Sequence, residues 1–185
     1  MSGINIQYSL CMDSFDDLKH ILNQSSFPDS GEYEELVYGR VLFRAFGSVY
    51  TADERRNGRP PVFYRVSDDA QPILLDCWDI YYVEDPVIVP PICRRPVMFH
   101  EIVEIAVYRE LRFNKHIDTQ QAHAFARQLD SATQKGLHPL TQQAHARARQ
   151  LDIPYAYEIS TEAGIAYQQF VNKWEEIGRS RGALS

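Results

Sequence analysis

The chain has 185 residues, a formal net charge of −6, and 44% hydrophobic and 12% aromatic residues. This size and composition suit one domain with a sizeable core and exclude disorder as a whole-chain description; the mildly acidic balance argues against a general nucleic-acid binder. Three cysteines, Cys11, Cys77 and Cys93, are odd in number and widely spaced, which signals neither a disulfide framework nor a thiolate zinc site.

Reduced thiols in a cytoplasmic protein are the expectation. No apolar run approaches a membrane span, and Met1 to Asp17 lacks the basic-then-apolar pattern of a secretory signal.

In chain order, Asp13 or Ser14 caps a short helix carrying Phe15, Leu18, Ile21 and Leu22. Residues 23–31 form a loop rich in Ser, Pro, Asp and Gly. From Glu32 to Phe46, the positions of Leu36, Val37, Val41, Leu42 and Ala45 suit a helix stopping at Gly47. The β-branched and aromatic residues there also suit strands; helix is the favoured reading. Asp53 to Pro61 is a polar turn with Arg55, Arg56 and Arg59, a solvated loop. Val62 to Val66 and Ile73 to Val83 read as strands. Pro86 to Pro96 reads as extended chain or an edge strand. Pro96 then occupies the first turn of a helix, where its missing N–H costs nothing.

After Phe113 the chain reads as wholly helical, with starts at Asp118 or Thr119, at Thr141, and at Ser160 or Thr161. The last helix carries Ala163, Ala166, Phe170, Trp174 and Ile177 on one stripe and ends near Gly178. One repeat is evident: Thr119 to Asp130 reads TQQAHAFARQLD and Thr141 to Asp152 reads TQQAHARARQLD. Each copy sets a histidine, His123 or His145, beside a stripe of small residues: Ala122, Ala126 and Leu129, or Ala144, Ala148 and Leu151. Two copies are too few for a solenoid.

Between these halves lies FHEIVEIAVY, from Phe99 to Tyr108. On a helix, His100 and Glu104 stand one turn apart on one face, with Tyr108 beyond them and Glu101 at the edge of the same arc. The rest of the circumference is apolar: Met98, Phe99, Ile102, Val103, Ile105, Ala106 and Val107. Carboxylates in such surroundings need a compensating cation or hydrogen bonds, and a divalent metal is one such cation. Two ligands four apart can grip one ion, and the residue after the first can act on a bound water. His100 and Glu104 are therefore candidate zinc ligands and Glu101 the candidate general base. A third ligand comes from the helical repeat, His123 first and His145 as the alternative. Iron or manganese also suits such a donor set. Tyr108 reads as a packing residue that can also reach a ligand. The competing reading has no metal: Arg94, Arg95, Arg109 or Arg112 pairs with the two glutamates. His20, His116 and His138 lie in polar or loop contexts. Walker loops and dinucleotide-binding glycine fingerprints are absent from the sequence.

The arrangement resembles small bacterial and phage zinc metallopeptidases of zincin-like type. These carry an HExxE helix followed by a helix with an Ala-His pair, a further Ala and an acidic residue. Here the corresponding residues are His100-Glu101-Ile102-Val103-Glu104, then Ala122-His123, Ala126 and Asp130. The segment from Tyr81-Tyr82-Val83-Glu84-Asp85 through Arg94-Arg95-Pro96 looks like the strand and connection that lead into the first helix. Relatives commonly have an aromatic residue where this chain has Thr119. The resemblance implies a zincin-like fold with His100, Glu104 and His123 on zinc and Glu101 as base.

The expectation is an α+β domain: a short twisted sheet packed on the His100 helix, with a helical C-terminal half. Its segments are residues 1–30 (helix and loop), 31–95 (mixed helix and strand), 96–152 (metal-site helices), 153–178 (C-terminal helix) and 179–185 (loose tail). The expected function is a zinc-dependent peptidase or amidase acting on a peptide or protein, with no membrane partner, in which Glu101 activates a metal-bound water. The alternative is a non-catalytic interaction protein with a structural metal or a metal-free buried ion-pair network, whose Ala-rich helices form a docking surface or the seam of a homodimer. Access of water to the ion separates the two, since a structural site is closed by four protein ligands.

Overall fold

A computed structural model describes residues 15–24, 33–39, 41–46, 62–64, 73–84, 87–114 and 139–180. Its elements in chain order are α1 (Asp16–Gln24), β1 (Tyr33–Tyr38), β2 (Val41–Phe46), β3 (Val62–Tyr64), β4 (Ile73–Tyr81), β5 (Val83–Glu84), β6 (Val87–Ile88), α2 (Pro91–Asn114), α3 (Pro139–Ile159) and α4 (Thr161–Ser180). The fold is α+β and mostly helical among the described residues. No helix among them is long and apolar enough to cross a membrane.

The strands order as β1-β2-β4-β3, with β5 and β6 forming a separate small hairpin. β1 and β2 are antiparallel, from Tyr33↔Phe46 to Tyr38↔Val41. This corrects the helix expected over Glu32 to Phe46. Gly39 takes φ +60, a left-handed value that glycine adopts without steric cost, and it reverses the chain between the two strands. β2 runs parallel to β4 and is buried from Val41 through Ala45. A strand covered on both faces reads as a continuous apolar run, which imitates a buried helix in sequence. Val41, Phe43 and Ala45 alternate toward the helices and join the main core. Arg44, 6% exposed, is stabilised in this strand by its bond from Nε to Asp79 Oδ1 at 2.7 Å, across the Arg44↔Asp79 register pair.

α2 begins at Pro91, not Pro96. Pro91 occupies the first helical position, and the Cys93 N–H donates to the Pro90 carbonyl at 2.8 Å. Pro96 is buried one turn further in, where it removes a single intrahelical bond. The helix then buries Met98, Phe99, Ile102, Val103, Ala106 and Val107. Its most extensive partner is α3, which presents Ala144, Ala148 and Ala156 as fully buried residues. Small side chains on one face allow the two helix axes to approach closely.

α3 continues through Pro154 to Ile159, so the C-terminal helix starts later than residue 153. Its start is the Ser160 cap anticipated from sequence: Ser160 Oγ accepts from the Ala163 N–H at 3.0 Å. Gly164 lies against the Tyr157 ring, where a Cβ would collide with it. α3 and α4 therefore meet closely just after the break.

Candidate metal centre

Four elements contribute to one polar cluster. α2 supplies His100 and Glu104 from successive turns. α3 supplies His145, Arg149 and Asp152, which share one face of the helix at spacings of four and three. α4 supplies Tyr167, and β4 supplies Trp78. The buried Ala144 and Ala148 beside His145 bring its ring onto the His100 face of α2.

His100 is 5% exposed and Asp152 is 0% exposed. His100 Nδ1 and Asp152 Oδ2 lie 2.7 Å apart. Asp152 Oδ2 also accepts from Arg149 Nη1 at 2.6 Å and from the Tyr167 hydroxyl at 2.8 Å. The carboxylate fixes the proton on Nδ1 and turns Nε2 toward the cluster. There His100 Nε2 lies 3.1 Å from His145 Nδ1 and 3.2 Å from Glu104 Oε2. His145 Nδ1 and Glu104 Oε2 are 2.8 Å apart.

Three lone-pair atoms thus form a small triangle. One proton on His145 Nδ1 satisfies only part of it, and the neutral Nε2 of His100 still faces a carboxylate oxygen. A cation resolves the conflict, either a second proton or a metal ion. The donor set fits a metal. Nitrogen and carboxylate ligands sit about 2.0–2.2 Å from zinc in tetrahedral geometry, which separates them from one another by roughly 3.3 Å. His100, Glu104 and His145 also form the only group of three potential ligands of this kind among the described residues. Asp152 on the far nitrogen of His100 is the outer carboxylate that commonly orients a ligating imidazole.

The ionisation states follow from the same contacts. Burial pushes His100 down, but bonds to Asp152 and Glu104 and the charge of Glu101 outweigh it, lifting the group from 6.5 to about 9. Burial pushes Glu104 up, but its bonds to His100 and His145 hold it at about 2. Glu101 is raised, chiefly by burial and by the charge of Glu104, with His100 and the Trp78 N–H opposing. Trp78 Nε1 donates to Glu101 Oε2 at 3.2 Å.

A pH dependence follows for the metal-free protein. His100 holds its proton more tightly when folded, so its contribution is complete below pH 6.5 and is lost as pH rises through about 9. Glu104 contributes above pH 4.5, and that contribution is lost as pH falls through about 2. Zinc must displace the His100 proton, so its affinity should rise by about tenfold per pH unit toward pH 9. Thermal denaturation from pH 6 to 9 checks both: the midpoint in chelator should fall while the increment from added zinc grows. A zinc increment independent of pH contradicts this protonation scheme.

Of the residues singled out in sequence, His100, Glu104 and the alternative ligand His145 come together, and Glu101 borders the adjoining cleft. His123 lies outside the described residues, as do His116 and His138. Tyr108 packs against the core, and His20 is exposed on α1. Glu104 bonds to His100 and His145, Glu101 accepts from Trp78, and Arg94 lies over the Tyr82 ring at 5.1 Å; the Arg112 side chain lies outside the described residues. Sequence reasoning missed Asp152, Arg149, Tyr167 and Trp78. For Asp152 a signal existed: it ends the second repeat copy as Asp130 ends the first, in the Ala-His, Ala, acidic pattern already noted. No family model, curated protein or solved structure matches this chain.

Proposed function

We propose that this chain is a zincin-like, zinc-dependent hydrolase that cleaves a peptide or amide bond, with His100, Glu104 and His145 as protein ligands and Glu101 as general base. The observation that carries the reading is the convergence of His100 Nε2, Glu104 Oε2 and His145 Nδ1 beside a cleft that Glu101 also lines. When bound, the ion acidifies water and polarises a carbonyl. Glu101 would take a proton from such a water and return it to the leaving amine as the carbon–nitrogen bond breaks. Its raised pKa brings it nearer the working pH of a general base. Trp78 orients its carboxylate through Oε2. Three protein ligands with an adjoining cleft favour a catalytic centre over a closed structural one.

Glu101→Gln separates the roles. The variant should retain zinc but lose at least about a hundredfold in hydrolysis of an unfolded protein or a mixed peptide library. The measurements are metal content and cleavage rate by mass spectrometry of products. Undiminished cleavage by Glu101→Gln, in zinc-loaded protein, removes Glu101 from the reaction.

A further inference from the structure

Beside the polar cluster lies a cleft of about 250 Å³. His100, Glu101 and His145 border it on one side. Trp78, Val97, Phe170 and Trp174 supply apolar walls. Trp78 and Trp174 are 41% and 39% exposed, a large apolar area left open next to an ionisable centre. Phe170 and Trp174 lie with ring centroids 6.2 Å apart, so two rings from one turn of α4 and a third from β4 line the same cleft.

We infer that this cleft is a specificity pocket that takes one aromatic side chain of a peptide and sets the neighbouring backbone amide beside Glu101. The placement of the amide rests on the hydrolase reading; the side-chain site does not. Pockets that enclose drug-sized ligands run from roughly 300 to 1,000 Å³, so this smaller space suits a single large side chain. Aromatic walls favour an aromatic occupant, because offset and edge-to-face ring contacts add to the gain from burying apolar area. The Trp78 indole joins the two functions: its N–H holds Glu101 while its ring forms the wall. An occupant packed on that ring therefore touches the group that supports the base.

The chain has two tryptophans, and both wall this cleft. Indole fluorescence of the whole protein therefore reports on the cleft alone. The experiment titrates the full chain, metal-stripped and zinc-loaded, with N-acetyl-phenylalaninamide and with N-acetylglycinamide. The phenylalanine compound should give a saturable change at least about tenfold tighter than the glycine compound. The metal-stripped protein should show the same preference. Phe170→Ala, which widens the cleft, and Val97→Phe, which fills it, should each weaken binding at least about fivefold. They act in opposite steric senses, so misfolding of one leaves the other as the test. No saturable change, or no preference over the glycine compound, overturns the pocket. Zinc uptake without selective binding overturns the pocket and leaves the metal centre intact. Selective binding by a chain that takes up no zinc supports the pocket and removes the hydrolase.

Discussion

Metal-stripped protein should take up one zinc ion per chain, and His100→Ala, Glu104→Ala and His145→Ala should each abolish stoichiometric uptake. Removing a carboxylate that merely orients a ligand typically costs 10- to 100-fold in affinity, so loss of a ligand itself should cost more, about a thousandfold. The three atoms contribute unequally to the metal-free fold. His100 is held by Asp152 as well as by the cluster, whereas His145 is a third exposed and bonds His100 and Glu104 at its Nδ1. His145→Ala should therefore remove the ion with the smallest disturbance of structure, and it is the cleanest test. Elemental mass spectrometry of untagged protein, with equilibrium dialysis against zinc, measures the outcome. His123→Ala belongs in the same series. Retained zinc in that variant identifies His145 as the third ligand, while loss of zinc in both makes a fourth protein ligand and turns the reading toward a closed structural site. Zinc retained by His145→Ala contradicts the centre described above.

Asp152 should prove the most costly single polar residue to remove. Its carboxylate is completely buried and takes bonds from His100, Arg149 and Tyr167, so three groups lose their acceptor together. Breaking a buried ion pair from one side typically costs 3–5 kcal/mol, because the remaining charge stays desolvated. Asp152→Ala should lower the unfolding free energy of the metal-free protein by about that amount in urea. Asp152→Asn keeps the shape and one acceptor oxygen, so it should be the milder variant in stability. It should still weaken zinc by roughly 10- to 100-fold, since a neutral amide holds the His100 Nδ1 proton less firmly. Equal stability of the wild type and Asp152→Ala means that the three donors find other acceptors, and the supporting role assigned to Asp152 then fails.

The helix bearing His100 and Glu104 was legible because its message is local. A spacing of four on a helix places two side chains together whatever the rest of the chain does. The Ser160 start of the last helix was legible for the same reason, since a cap is a matter of a few residues. The β1–β2 hairpin was not, because burial of β2 on both faces erased the alternation that announces a strand. Gly39 was the local clue, and its meaning depended on which structure flanked it. The start of α2 is hard to read because four prolines stand from Pro86 to Pro96, and the one that takes the first helical position is Pro91.

The third ligand posed a different problem. The two repeat copies differ only at Phe125 and Arg147, so their histidines carry the same local signal. Among the described residues, the second copy packs against α2 and sets His145 beside His100, whereas the first copy lies outside them. Trp78 and Tyr167 reach the centre from separate elements, and no sequence spacing announces a contact that tertiary packing creates. The resemblance to zinc peptidases directed attention to the Ala-His pair of the first repeat copy. In the described structure, however, the Ala-His pair that meets His100 is Ala144-His145.

The bond from Tyr167 to Asp152 makes α4 a stakeholder in chemistry to which it contributes no ligand. Through that hydroxyl, the last helix acts on the charge that steers His100, while Phe170 and Trp174 on the next turns wall the cleft. Orientation of the imidazole and shape of the recess thus answer to a single rigid rod. On the proposed reading, drift in the sequence of that rod would alter affinity for the ion and choice of ligand together, so the two properties would be inherited as one trait.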